Sequence, residues 1–134
     1  MNINSGANTF PTSIAPWLSV RESAKAVEFY KSAFGAIEAY RLEAPDGGVV
    51  AKLSVDGAEF WLSEESPDNL GPQSLGGGTV RMILTVSNPD ALFARALHAG
   101  ATEIFPVGED YGWRLGRVVD PYGHHWEIGR PLSE

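Results

Sequence analysis

The chain has no cysteine, which removes disulfides, thiolate zinc sites and cysteine nucleophiles from consideration. The redox compartment stays open on that ground, and the cytoplasm is the expected location. Lysine is scarce: Lys25, Lys31 and Lys52 all fall in the first half, and every later basic residue is an arginine. No basic run or stripe occurs and the net charge is -7, so nucleic acid is not an expected partner. No apolar run is long enough to span a membrane. The opening MNINSGANTFPTS has neither the basic start nor the apolar centre of a secretory signal. What is present is an ordinary globular composition, 43% hydrophobic and 20% charged over 134 residues, far from the signature of disorder. A chain of this length suits one domain that buries about two-thirds of its unfolded surface. Its acidic balance fits a cationic or neutral ligand better than an anionic one.

Two segments repeat in order and type: PWLSVRESAKAVEFYKSAFGA, residues 16–36, and RMILTVSNPDALFARALHAGA, residues 81–101. Each runs from a β-forming apolar stretch through a helical pattern to Gly-Ala, with Val20 matching Val86 and Gly35 matching Gly100. This is an internal duplication. In the first helix Ala26, Val27, Tyr30, Ala33 and Phe34 share one face and Gly35 stops it. In the second, Asn88 is the expected N-cap and Pro89 the first helical residue, with Leu92, Phe93, Ala96 and Leu97 as the buried stripe. Three strand-like runs follow each helix. They are AIEAYRLE, VVAKLSV and AEFWLS in the first half, and ATEIFPV, WRLGRVV and HHWEIG in the second, divided by PDGG, DG, GEDYG and DPYG turns. Each half therefore reads β-α-β-β-β. Residues 1–13 read as a flexible arm, 14–64 as the first module, 65–78 as a linker without structure of its own, and 79–130 as the second module.

Alternation within each strand sorts its residues between a helix-facing set and an opposite set. Ile14, Pro16, Leu18 and Val20 face the helix, which leaves Ala15, Trp17 and Ser19 opposite. Phe60 and Leu62 face it in the fourth strand, leaving Glu59, Trp61 and Ser63. Val80, Met82, Leu84 and Val86 face it in the fifth, leaving Arg81, Ile83 and Thr85. In HHWEIG, His124, Trp126 and Ile128 turn toward the helix, and His125 and Glu127 away. Trp17, Trp61, Arg81, His125 and Glu127 thus occupy corresponding faces, and sheets curled around them would line one ligand cavity.

The duplicated unit, the FYKSAFGA at the end of the first helix and the stretch YGWRLGRVVDPYGHHWEI together resemble the glyoxalase, bleomycin-resistance and dioxygenase superfamily, the vicinal oxygen chelate fold. The resemblance covers residues 14 to 130. It implies an α+β fold of two tandem β-α-β-β-β modules forming a cup-shaped curled mixed sheet with helices outside, and a homodimer. In that family a divalent metal is held by residues from the first and last strands of each half. Carried over, those positions are Ala15, Trp61, Arg81 and Glu127, so one expected ligand remains. A divalent ion usually needs three protein ligands, and Glu127 with His125 is the most a metal would find here. No metal cofactor is expected. An Arg81–Glu127 ion pair in the ion's place is the expected substitute. His124 is expected to be neutral and hydrogen-bonded.

Two readings follow from the resemblance. One is a binding protein that holds a small organic ligand, cationic or aromatic, against Trp17, Trp61, Arg81, His125 and Glu127, with Trp113 as a further stacking surface. The other is a metal-dependent lyase, isomerase or dioxygenase, or an enzyme with Glu127 as its catalytic general base, Tyr111 or His125 assisting and Arg81 anchoring an anionic oxygen. The acidic clusters Glu64, Glu65 and Asp68, and Glu109 and Asp110, are expected in solvated loops. His98 is expected at the surface. The GGG at residues 76–78 lacks the strand-to-helix setting of an anion cradle.

Overall fold

The structure, a computed structural model, describes residues 9–133. Residues 1–8 of the expected arm lie outside the described residues, and those from Thr9 to Pro16 form no regular element. The elements in order are β1 (Trp17–Val20), α1 (Ser23–Phe34), β2 (Ile37–Glu43), β3 (Val49–Val55), β4 (Ala58–Glu64), α2 (Pro72–Leu75), β5 (Arg81–Thr85), α3 (Pro89–Ala99), β6 (Thr102–Asp110), β7 (Trp113–Val119) and β8 (His125–Pro131). The strands form two four-stranded sheets, β1-β4-β3-β2 and β5-β8-β7-β6. In each sheet the first strand pairs with the last in parallel and the rest are antiparallel. The β-α-β-β-β unit is therefore written twice, as the sequence repeat implies.

Local chemistry accounts for the element ends. Asp56 and Gly57, with φ of 52° and 95°, make the β3–β4 hairpin turn, where positive φ at both central positions matches the twist of the strands. Helix α3 starts as expected, with Asn88 Oδ1 accepting from Ala91 N at 3.2 Å and Pro89 following it. Helix α1 has no side-chain N-cap of its own. Glu64 at the end of β4 supplies one, accepting from Ser23 N at 2.9 Å, Ser23 Oγ at 2.7 Å and Glu22 N at 3.0 Å. Burial pushes the Glu64 carboxyl up, but these donors outweigh it and hold the group below the usual carboxylate range. Glu64 is thus a cap and not a solvated loop acid. The segment expected to lack structure contains α2, which Glu65 secures by accepting from Gly71 N at 2.9 Å and from Ser74 Oγ at 2.8 Å. Its proline at the first helical position was the available sign.

One core joins the modules. Ala26, Val27, Tyr30, Ala33 and Phe34 of α1 are all buried, with Leu18, Leu53, Phe60 and Leu62 from the first sheet and Leu84, Val118, Trp126 and Ile128 from the second. On α3 only Phe93 and Ala96 of the expected stripe are fully buried, with Leu92 and Leu97 packed partly covered against them. At the centre Asp120 is buried, and its Oδ2 accepts from Tyr30 Oη at 2.5 Å and from Trp126 Nε1 at 2.9 Å. Its Oδ1 accepts from Tyr122 N and His124 N, both at 2.9 Å, which closes the DPYG turn. Burial pushes the Tyr30 phenol well above its ordinary range, and the neighbouring Asp120 carboxylate raises it further.

The same core fixes how the two sheets of one chain lie. Phe60 and Trp126, both on helix-facing sides, lie with ring centroids 5.3 Å apart. Had β1 and β5 joined the sheets edge to edge, two strands would separate these rings by about 14 Å at the 4.8 Å strand spacing. The helix-facing sides of the two sheets instead meet in one core, so the opposite faces point away from each other and the sheets do not close into one cup. Two residues assigned to the helix-facing set are corrected with it. Ile14 and Val80 are 97% and 71% exposed, because the strands begin after them, at Trp17 and Arg81. Both line an apolar groove of about 390 Å³ between β5 and the segment that leads into β1.

Candidate functional site

The outer face of the first sheet is aromatic. Parallel pairing sets Trp17 opposite Trp61, and the rings stack at 5.2 Å with an interplanar angle of 9°. Trp17 Nε1 donates to Ser63 Oγ at 2.9 Å, which fixes the ring's orientation. Trp17 remains 54% exposed. Tyr40 from β2 leans on Trp61 at 5.8 Å, and Lys52 Nζ sits 5.3 Å above the same ring. Neither Tyr40 nor Lys52 was picked out from the sequence, although the DG hairpin contains the answer. Counting back from Val55 opposite Ala58 puts Lys52 opposite Trp61.

The outer face of the second sheet is cationic at its centre. Arg81 Nε lies 2.5 Å from Glu127 Oε2, so the anticipated ion pair is present. A second guanidinium joins it: Arg117 Nη2 and Nε donate to the same oxygen at 2.7 and 3.2 Å. Arg117 is the main residue the sequence reading missed. Val119 opposite His125 fixes the β7–β8 register, and two steps back puts Arg117 opposite Glu127. The Arg117 guanidinium lies over the Phe105 ring at 4.9 Å. Burial pushes the Glu127 carboxyl up, but the hydrogen bonds and charges of Arg117 and Arg81 prevail and hold it below the usual carboxylate range. A carboxylate so stabilised is a weak general base.

Arg117 and Glu127 line a cavity of about 560 Å³ with Phe105, Tyr111, Trp113 and Leu115, while Trp17 lines a different one beside α2. The five residues assigned to one site thus fall on two faces of the chain, Trp17 and Trp61 on one, Arg81, His125 and Glu127 on the other. His124 leaves the second face, its Nε2 lying 2.9 Å from the Ser19 carbonyl oxygen. His98 is exposed. His125 Nδ1 is buried without a hydrogen-bond partner, the only such side-chain atom among the described residues.

The residues at the family's metal positions do not fit a metal. Ala15 has no donor and the Trp61 indole offers no lone pair. Arg81 repels a cation, and Glu127 Oε2 is already engaged by two guanidiniums. Among the described residues no three or more histidine, aspartate and glutamate side chains gather as an ion would require.

A family model, the glyoxalase/bleomycin resistance protein/dioxygenase superfamily, matches residues 12–128. The chain belongs to this superfamily. Among superfamily relatives, an uncharacterized protein of Mycobacterium tuberculosis is 43% identical over 129 residues, covering 90% of this chain and 75% of the relative. A crystal structure of a gene product from Arabidopsis thaliana is 31% identical with a TM-score of 0.67, over 90% of this chain and 98% of that one. The crystal structure of TioX from Micromonospora sp. ML1 is 28% identical with a TM-score of 0.72, over 91% of this chain and all of that one, 100%. TnmS3, described as an antibiotic binding protein from Streptomyces sp. CB03234, shares the fold at 19% identity and a TM-score of 0.68, over 92% of this chain and 99% of that one. No helix among the described residues of this superfamily member is long and apolar enough to cross a membrane.

Proposed function

We propose that this superfamily member is a cytoplasmic small-molecule-binding protein that stacks an organic ligand on Trp17 and Trp61 and works as a homodimer without a metal. The observation that carries this reading is the tryptophan pair, stacked at 5.2 Å on a face the core does not use, with Trp17 left half in water and Trp61 partly covered behind it. An indole held against its neighbour on a rigid sheet and left open to water is a prepared surface for a flat ring, because little side-chain entropy remains to be lost on binding. A second copy completes the site. The two outer faces of one chain point apart, β1 and β5 are edge strands, and apolar Ile14, Val80 and Ile83 are exposed along the groove beside β5. Exposed edges and apolar residues of this kind are surfaces that pairing with another chain covers. In such a dimer the aromatic face of one copy meets the arginine face of the other, and the ligand lies between.

The test is a titration with bicyclic aromatic compounds, followed by tryptophan fluorescence. Saturable binding is expected, weakened roughly tenfold by Trp61→Ala, in keeping with about 0.5–1.5 kcal/mol for an aromatic stack. Affinity unchanged in Trp61→Ala, or no binding across the panel, would remove this reading.

A further inference from the structure

We infer that the site selects an aromatic ligand bearing a negatively charged group, a carboxylate or an acidic phenol, and that Arg81 receives it; this rests on the ligand-binding reading above. The argument is one of local charge. Arg81 and Arg117 converge on a single carboxylate, and both spend their bonds on the same oxygen, Oε2 of Glu127. Two guanidiniums against one carboxylate leave a surplus of one positive charge. Arg117 and Glu127 are largely covered, with side chains 23% and 11% exposed, whereas Arg81 is 50% exposed. The two Nη groups of Arg81 have no hydrogen-bond partner among the described residues. A planar fork of free donors, held in place through its Nε, matches a carboxylate.

The other charges do not cancel this surplus. At the far end of the cavity Glu109 is engaged by Arg114 at 3.3 Å, and Asp110 Oδ1 accepts from Tyr111 N at 2.9 Å. Asp110 pairs with Trp113, four residues along β7 from Arg117, or about 13 Å at a rise of 3.3 Å per residue. That exceeds the physiological screening length of about 8 Å. The other ionisable residues of β8 are His125, two residues before Glu127, and Arg130, three after it, and neither adds a negative charge. Glu59 lines the apolar groove together with Arg81, and Lys52 offsets its charge at 3.7 Å. The acids behind the net charge of -7 sit elsewhere, with Glu64 capping α1, Glu65 holding α2, Glu38 paired with Lys31 and Asp90 with Arg114. The acidic balance that suggests a cationic ligand is therefore absent from the site itself.

Three probes of one shape test the inference by isothermal titration calorimetry: 2-naphthoate, 2-naphthamide and 2-naphthylmethylammonium. The naphthoate is expected to bind at least about tenfold more tightly than the amide and the ammonium to bind most weakly, with the naphthoate preference shrinking as salt rises. Arg81→Met should bring the naphthoate-to-naphthamide ratio close to one, and Arg81→Lys should retain part of it. Glu127→Gln, which doubles the surplus charge, should strengthen naphthoate binding, whereas a residue that gathered a cation would lose function. If all three probes bind equally, or the ratio survives Arg81→Met, the anion inference falls while the aromatic site stands. If none of them binds, both fall.

Discussion

Asp120→Ala is expected to destabilise the protein by about 4 kcal/mol, since hydrogen bonds to a charged group contribute about 1.5–3 kcal/mol each and combine less than additively when they share one acceptor. Four donors converge on this buried carboxylate, from Tyr30 of the first module and from Tyr122, His124 and Trp126 of the second. Removing it strands all four and opens the turn before β8. For a domain of this size the melting temperature should fall by about 15 °C. Urea unfolding measures the loss directly, and a change below about 1 kcal/mol would mean that the carboxylate does not tie the modules together. Tyr30→Phe, which removes one donor and keeps the ring, should cost less, about 1.5 kcal/mol. It should also change the response to alkali. Because the Tyr30 phenol is raised in the fold, its contribution is complete below the unfolded value of about 10 and is lost as pH climbs through the higher folded one. Tyr30→Phe should therefore flatten the alkaline decline in stability.

The tryptophans should separate sharply. Trp126→Ala is expected to cost about 3–5 kcal/mol, the range for emptying a large buried aromatic site. Its ring is 3% exposed and touches Tyr30, Phe34 and Phe60 from the other module. Trp17→Ala should cost under about 1 kcal/mol, since a half-exposed side chain leaves no closed cavity when removed. Denaturant midpoints of the two variants give the comparison, and equal losses would show that Trp17 is a core residue rather than part of a binding face. The Trp126 and Asp120 losses will not add, because the indole is one of the carboxylate's donors.

The residues that could be read correctly from the sequence are those governed by local periodicity. The repeat gave the duplicated module, alternation put Trp17, Trp61, Arg81 and Glu127 on the uncovered faces, and Asn88 with Pro89 marked the start of α3. Arg117 and Lys52 were within reach, since each follows from the register of a short hairpin. The relation between the modules was not. Nothing local distinguishes two sheets curling edge to edge from two sheets meeting through their helix-facing sides, because the same apolar residues are buried either way. Phe60 against Trp126 decides it, a contact between residues far apart in the chain. Net charge is a poor guide to the charge of one face for a related reason. Net charge sums the whole surface, whereas a ligand meets the few groups on one face, and here two arginines share one carboxylate.

Mixing two variants, each damaged on a different face, tests most directly whether the binding cup forms between copies. Trp61→Ala carries its lesion on the first module and Arg81→Met on the second, and each alone should bind 2-naphthoate poorly. When the two are unfolded and refolded together, a dimer with one chain of each places both lesions in one cup and leaves the other intact. Naphthoate titration of the mixture should then recover tight binding in about a quarter of the cups, half of the dimers being mixed and each of those having one good cup. A mixture that is dimeric by sedimentation yet recovers no tight binding would contradict a site shared between two chains.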